Sequence, residues 1–184
     1  SSFINIEKSG SVERKIITEK LISPEGISFK IDRATISSPL IGEFNFYNIL
    51  AAISAVLSQN IKLETIKSAL AKISGIPGRL EYVQKKPFAV VVDYAHTPDA
   101  LRKVYQTLTN NQSAFAKATA GKQPTTYNTQ LICVFGAAGG GRDKWKRPAL
   151  GKIAGDYCDY IILTNEDPYD EDPRQIVEDI QSGI

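Results

Sequence analysis

The amino-acid sequence predicts an α/β protein whose larger part is a parallel sheet flanked by helices. Three observations carry this. Residues 88–92, 131–135 and 160–163 are short apolar runs, and each precedes a stretch of helical periodicity. Strands that are apolar throughout, separated by helices, fit a parallel sheet covered on both faces. Residues 3–36 instead alternate apolar and polar, which is the period of half-buried antiparallel strands.

Taken in order, Phe3, Ile4, Ile6, Ile16, Ile17, Ile27, Phe29 and Ile31 mark those first strands, punctuated by Gly10, Pro24 and Gly26. At Asn45 the period lengthens. Tyr47, Leu50, Ala51, Ser54 and Leu57 fall at helical spacing, with Asn45 or Asn48 near the helix start. A second helix fits residues 63–74, burying Ile66, Leu70 and Ile73, with Gly75 as C-cap and Pro77 blocking continuation. The domain boundary is placed there, giving residues 1–75 and 76–184. Residues 98–108 read as a helix with Thr97 as N-cap and Pro98 at its first position. Residues 147–156 and 173–183 supply two more. Residues 110–129, rich in Asn, Gln, Thr, Ala and Lys without a steady period, read as an exposed, mobile insertion.

The bulk composition excludes several classes. A net charge of +2 gives no broad electrostatic grip on nucleic acid. No apolar run approaches the roughly 18 residues that span a bilayer. The opening Ser-Ser-Phe-Ile-Asn-Ile lacks the basic end and apolar stretch of a signal peptide. Met is absent, so the chain is expected to begin inside a longer protein. Cys133 and Cys158 form no zinc pattern and read as free thiols in apolar surroundings.

Three segments could carry chemistry, each at the carboxyl end of an apolar run, where α/β sheets bind ligands. The first is residues 92–99, Val-Asp-Tyr-Ala-His-Thr-Pro-Asp, with the single histidine of the chain. Asp93 could accept from ribose hydroxyls and His96 could orient a phosphate; alternatively Asp93, Thr97 and Asp99 only cap a helix. The second is the glycine-rich residues 135–143. Successive glycines let backbone N–H groups approach an anion, and a helix N-terminus follows. However, Arg142 and Asp143 stand where a phosphate loop needs Lys and Ser/Thr, and Ala138 spoils the dinucleotide pattern. Arg142, Lys144, Lys146 and Arg147 add cationic donors, readable as a carboxylate or phosphate clamp or as a solvated face. The third is residues 164–173, with five carboxylates in the seven residues 166–172. It could recognise an amine, or be a solvated loop that caps the next helix.

Taken together, residues 42–52 (Gly-Glu-Phe-Asn-Phe-Tyr-Asn-Ile-Leu-Ala-Ala), 77–81 (Pro-Gly-Arg-Leu-Glu), 92–101, the Gly136, Gly139, Gly140, Arg142, Asp143, Lys144, Lys146, Arg147 and Pro148 series, and Thr164, Asp167, Pro168, Glu171, Asp172 and Pro173 resemble the Mur ligase family. Five motifs in order make the resemblance specific. The Asp-Tyr-Ala-His-Thr-Pro-Asp string resembles the branch that adds the third amino acid to the peptidoglycan precursor.

The resemblance implies an ATP- and Mg²⁺-dependent amide ligase. Such an enzyme phosphorylates a carboxylate and lets an amine attack the acyl phosphate. The implied substrates are a UDP-linked muramyl dipeptide and a free diamino acid of the lysine or diaminopimelate type, handled by a monomer. Residues 1–75 would be the β/α tail of a central ATPase domain. Residues 76–184 would be the first part of a Rossmann-like C-terminal domain. Asn45 and Asn48 match a motif whose Asn contacts adenine, with Asn48 the favoured one. Arg79 and Asp93 match nucleotide contacts, with His96 beside them. Arg142 matches an arginine that holds the incoming amino acid's carboxylate, with Asp143 and Lys144 alongside. Asp167 and Tyr169 fall in the amino-acid selectivity motif.

Two departures from the family pattern stand out. Residues 166–169 read Glu-Asp-Pro-Tyr where diaminopimelate enzymes carry Asp-Asn-Pro-Arg, so Tyr169 replaces a cation that would pair with a second carboxylate. Gly141 stands where the family tends to have Asp. The ATP loop, the Mg²⁺ ligands and a C-terminal Gly-Lys-Gly-His-Glu-type segment are expected outside this chain, which alone is expected to be inactive. Two other classes use similar parts: a non-catalytic nucleotide-binding module and a folylpolyglutamate synthetase-like ligase. An NAD-dependent oxidoreductase lacks its fingerprint here.

Overall fold

The computed structural model describes residues 2–8, 11–119 and 130–184. The chain divides by its contacts into two compact units, residues 1–93 and 94–184.

The first unit opens with four antiparallel strands in sequential order: β1 (Ser2–Lys8), β2 (Ser11–Ser23), β3 (Gly26–Ile31) and β4 (Ala34–Ser38). The alternation of the sequence becomes the two faces of this sheet. Ile17, Ile27, Phe29, Ile31 and Ile36 are buried, while their neighbours along the strands face outward. A bulge in β2 between Thr18 and Leu21 shifts the register, with Glu19 in the left-handed region at φ 52°.

Helices α1 (Glu43–Ser58) and α2 (Leu63–Leu70) contact β1 and β4 respectively. Phe46, Ile49, Leu50, Ile53 and Leu57, at helical spacing, join Ile66 and Leu70 in one core with the strand isoleucines. Phe46 meets Phe29 edge-on at 5.2 Å. Burying each such side chain contributes roughly 1.5–3 kcal/mol. Helix α2 ends four residues earlier than its periodicity suggests, and its C-cap is Ala71, not Gly75. The N–H groups of Lys72 and Ile73 bond three residues back, to Ala69 and Leu70, which tightens the last turn and ends the helix.

The apolar run at 88–92 departs from expectation. It forms β6 (Val90–Val92), which pairs antiparallel with β5 (Glu81–Gln84) within the first unit. Phe88 and Val92 are exposed, so the run is not buried on both faces.

The second unit holds the parallel pair β7 (Ile132–Phe135) and β8 (Tyr160–Leu163), with helices α3 (Pro98–Thr119), α4 (Lys146–Tyr157) and α5 (Pro173–Gln181). Helix α4 packs on both α3 and α5. Cys133 is buried, yet Ile132, Val134, Tyr160 and Ile162 on the alternate positions are exposed, so here too only one face is covered. Both cysteines are free thiols.

Helix α3 begins as its sequence predicts: the Thr97 hydroxyl accepts from the Ala100 N–H at 3.4 Å, and Pro98 occupies the first turn. It runs on through Thr119, into the stretch read as an unstructured insertion, because the Ala, Gln and Lys there are sound helix formers. Residues 120–129 of that expected insertion lie outside the described residues. No helix is long and apolar enough to cross a membrane, among the described residues.

Candidate functional site

In the first unit, Asn45 and Asn48 sit on the opening turns of α1. Asn45 is 3% exposed, and its amide donates to the Ile41 carbonyl at 2.8 Å. Its side-chain oxygen accepts from the Asn48 amide at 3.2 Å. The buried asparagine is therefore a structural brace, and the exposed Asn48 is the one whose amide edge meets solvent. Arg79 follows Gly78, which takes φ 67° in the turn entering β5. Asp93, just past β6, accepts from the Leu80 N–H at 2.8 Å and so ties the end of β6 back to that turn. Arg79 and Asp93 are thus anchored at neighbouring points. His96, grouped with them by sequence, belongs to the second unit.

In the second unit an open cleft of about 640 Å³ lies between the N-terminus of α3 and the loop before α4. One wall is residues 96–99. The other is Gly141, Arg142, Asp143, Trp145 and Lys146. His96 is held by its Nδ1 at 2.9 Å from the Tyr94 carbonyl and by edge-on contact with the Tyr94 ring. A carbonyl can only accept, so Nδ1 carries the proton and Nε2 is the acceptor nitrogen of the neutral ring. Asp99 pairs with Lys103 one turn on, at 2.7 Å. Arg142 and Lys146 supply the cations of the opposite wall. Such a cleft, with cations facing a helix N-terminus, suits a ligand bearing a carboxylate or phosphate.

The glycine loop has a different task from cradling an anion. A Cβ on Gly136 would overlap the Thr164 carbonyl, and one on Gly139 the Pro168 carbonyl. One on Gly140 would meet the Tyr169 ring at 2.9 Å. The Gly139 N–H donates to the Asp167 carbonyl at 3.0 Å. The glycines therefore let the loop after β7 press against the loop after β8, and one N–H that an anion would need is already taken. Asp167 and Tyr169 reach this contact with φ 20° and 54°. Neither lines the cleft.

Arg147 is the largest departure from a surface clamp. It is 1% exposed. Its Nη1 reaches Glu171 Oε2 at 3.0 Å and Asp179 Oδ2 at 2.9 Å, and its Nη2 reaches the same Glu171 oxygen at 3.0 Å. Lys144 Nζ joins at 2.9 Å. The Glu171 carboxyl is held down at about 2, chiefly by Arg147, then by Lys144, with a smaller contribution from the Gly141 N–H. Two of the four cations read as a clamp are thus internal ties. The signal was present: Arg147, Leu150, Gly151 and Ala154 share one face of α4, so Arg147 lies on the buried stripe. Of the five carboxylates in the acidic segment, Glu171 makes this tie. Asp172 caps α5, accepting from the Arg174 N–H at 2.9 Å. Sequence reasoning did not single out Trp145 as a cleft residue. It is 68% exposed, and nothing in the local pattern distinguished it.

The structure therefore unites His96 with Arg142 and Asp143. It assigns Lys144 to the Glu171 tie and keeps Asp167 and Tyr169 on the adjoining loop contact. Among the described residues no group of three or more His, Cys, Asp or Glu side chains could share a metal ion.

Known proteins resemble this chain over most of its length. It is 45% identical over 158 residues to the UDP-N-acetylmuramoyl-L-alanyl-D-glutamate–2,6-diaminopimelate ligase of Aquifex aeolicus, covering 86% of this chain and 29% of that one. It is 40% identical over 172 residues to the ligase of the same name from Gloeobacter violaceus, covering 90% and 32%. A solved structure of a ligase of that name superposes with a TM-score of 0.50 at 34% identity, covering 92% of this chain and 32% of that one. The chain thus spans about a third of the length of these relatives. Residues 78–184 match the family described as Mur ligase, glutamate ligase domain, and the chain belongs to the Mur ligase family.

Proposed function

We propose that this chain is part of an ATP-dependent amide ligase that adds a diamino acid to UDP-N-acetylmuramoyl-L-alanyl-D-glutamate in the cytoplasm. Residues 1–75 form the end of its central ATPase domain and residues 76–184 the first part of its C-terminal domain. The observation that carries the reading is the cleft: Arg142, an exposed arginine on a loop braced from behind, faces the His96 segment across an open space. A guanidinium so placed can take an amino acid's α-carboxylate through two parallel hydrogen bonds and leave its amine mobile. Asp143 stands beside it to orient the ammonium group.

ATP fits the first unit in one respect. The exposed Asn48 amide offers a donor and an acceptor together, the pattern a purine edge needs, while Asn45 holds it in place. Arg79 and Asp93 are assigned to the nucleotide's phosphates and ribose. ATP supplies the phosphoryl group that activates the precursor carboxylate, with Mg²⁺ held by residues outside this chain. The incoming amine then attacks the activated carbon, the amide bond forms and phosphate leaves. Asp167 and Tyr169 lie on the selectivity loop. Tyr169 presents no cation to a second carboxylate, so lysine and ornithine are candidate substrates alongside diaminopimelate.

The test uses the complete ligase. Phosphate release should require ATP, the muramyl dipeptide and a diamino acid together, and comparing lysine, ornithine and diaminopimelate by kcat/KM ranks the substrates. Arg142→Ala should raise the KM for the diamino acid about 10–100-fold, the loss of a charge-assisted pair. An unchanged KM would remove Arg142 from the site, and no phosphate release with any amine would overturn the ligase reading.

A further inference from the structure

The Arg142 loop needs a brace, because an exposed arginine binds a carboxylate well only if its backbone is fixed. The brace is visible. Lys144, two residues past Arg142, gives its ammonium to Glu171 Oε2 at 2.9 Å. Arg147, one turn further, gives both terminal nitrogens to the same oxygen at 3.0 Å. Both ties fall on the side of the turn that runs from Arg142 into α4. The segment that follows Arg142 and Asp143 is therefore fixed at two points, Lys144 and Arg147, by one side chain. Backbone bonds from Lys146 to Asp143 at 3.3 Å and from Arg147 to Lys144 at 3.0 Å complete the turn. Arg147 is itself fixed by burial and by Asp179. Glu171 is held in turn, since its own N–H donates to the Pro168 carbonyl at 3.0 Å.

We propose that Glu171 is a positioning residue for amino-acid binding: it holds the turn that presents Arg142 to the cleft, while touching no substrate itself. This rests on the reading of Arg142 as the carboxylate-binding residue. It also joins the two loops functionally. The acidic segment after β8 acts on the substrate through the loop after β7, and the close-packed glycines between them transmit the fit.

The experiment measures the complete ligase with Arg142→Ala, Glu171→Gln, Glu171→Asp, Lys144→Met and the double variant Arg142→Ala/Glu171→Gln. Glu171→Gln should raise the KM for the diamino acid about tenfold, since a displacement near 1 Å costs up to about a hundredfold. Its kcat and its KM for ATP should stay within about twofold. Glu171→Asp should recover part of the loss. In the Arg142→Ala background Glu171→Gln should add nothing, because the effect passes through Arg142. A loss of thermal stability and kcat with KM unchanged makes Glu171 merely structural and overturns the inference. So does a full KM effect persisting without Arg142. If Glu171→Gln fails to fold, Lys144→Met, on an exposed side chain, decides: about a threefold rise in KM supports the inference and no change overturns it. If Arg142→Ala alone leaves KM unchanged, the Arg142 assignment falls and takes this inference with it. A raised KM in Arg142→Ala with Glu171→Gln flat sinks only the role of Glu171.

Discussion

The two units are held together by different physics. In the first, an antiparallel sheet and two helices meet through isoleucine, leucine and phenylalanine side chains that are nearly all inaccessible. In the second, the most buried large side chain near the cleft is an arginine, tied to two carboxylates on a different loop and helix. Apolar cores are tolerant, because any side chain of suitable size contributes. An ion-pair tie is directional, and removing one partner strands the other. The first arrangement suits a scaffold, the second a loop that must sit in one place.

The sharpest way to break that comparison is a core deletion. Phe29, 1% exposed and edge-on to Phe46, should lose about 3–5 kcal/mol of unfolding free energy as Phe29→Ala. Hydrogen exchange should show the loss in the amides of β2 to β4, with those of α4 unchanged. Equal loosening of α4 would mean that the two units do not open separately.

Arg147→Ala is the counterpart in the second unit. Removal of one partner from a buried pair costs about 3–5 kcal/mol, and the lower end is expected because Glu171 and Asp179 keep 15% and 29% of their side-chain exposure. The loss should appear in α4 and α5 and spare the antiparallel sheet. Arg147→Lys should recover little, since one ammonium cannot reach both carboxylates in a fixed fork. Full recovery by lysine would show that charge alone, without geometry, makes the tie.

How legible each unit was in the sequence follows the same division. Residues 3–36 gave up their strands because alternation at period two is a local signal, and Thr97 with Pro98 announced α3 in the same way. The parallel pairing of β7 with β8 was readable from two apolar runs separated by a helix. The pairing of β6 was not, since an apolar run does not say which neighbour it will hydrogen-bond. The segments around His96 and Arg142, singled out from residue type and position at strand ends, line one cleft of the second unit. The opposite settings of Arg142, exposed, and Arg147, buried, were harder to read. Five residues apart in one basic cluster, they separate only when the helical phase of α4 is set against Leu150 and Ala154, and when Glu171, 24 residues on, is known to return. The glycines misled for a related reason: their partners are the carbonyls of a loop distant in sequence.

Acid should tell the units apart in the next measurement. Glu171, usually near 4.5, is drawn to about 2 by Arg147 first and Lys144 second. A depressed carboxyl stabilises the fold fully above its unfolded value, and that stabilisation is lost as pH falls from about 4.5 toward 2. Asp179 is lowered too, by Gln175 and then Arg147, and acts with the same sign. Asp32 in the first unit is also lowered, by the Ile16 N–H and then Lys15, but it sits at an exposed strand end. The cleft loops should therefore loosen before the apolar core does. Carbon-detected titration should find Glu171 near 2, moving back toward 4.5 in Arg147→Met. Titration near 4.5 in the unaltered protein would mean that the tie is not kept in solution.

The smallest expected effect is also the one whose sign is most diagnostic. Helix α4 carries two glycines, Gly151 and Gly155, and propensity alone favours alanine at both by about 0.5–1 kcal/mol. At Gly155 an added Cβ would meet Ile184 at 3.8 Å, an ordinary contact, so Gly155→Ala should raise stability by about that amount. At Gly151 the same atom would overlap the Ile180 carbonyl at the end of α5. That carbonyl already accepts from the Gly183 N–H at 3.1 Å, so it cannot simply turn away. Gly151→Ala should therefore push α5 off α4 and lower stability by about 1–3 kcal/mol. Because Asp179 lies on α5 beside Ile180, the displaced helix should also draw Asp179 away from Arg147, and the Asp179 carboxyl should titrate nearer its usual 3.8. A stabilising Gly151→Ala with Asp179 still depressed would show that α4 and α5 pack less closely than the ion pair between them requires.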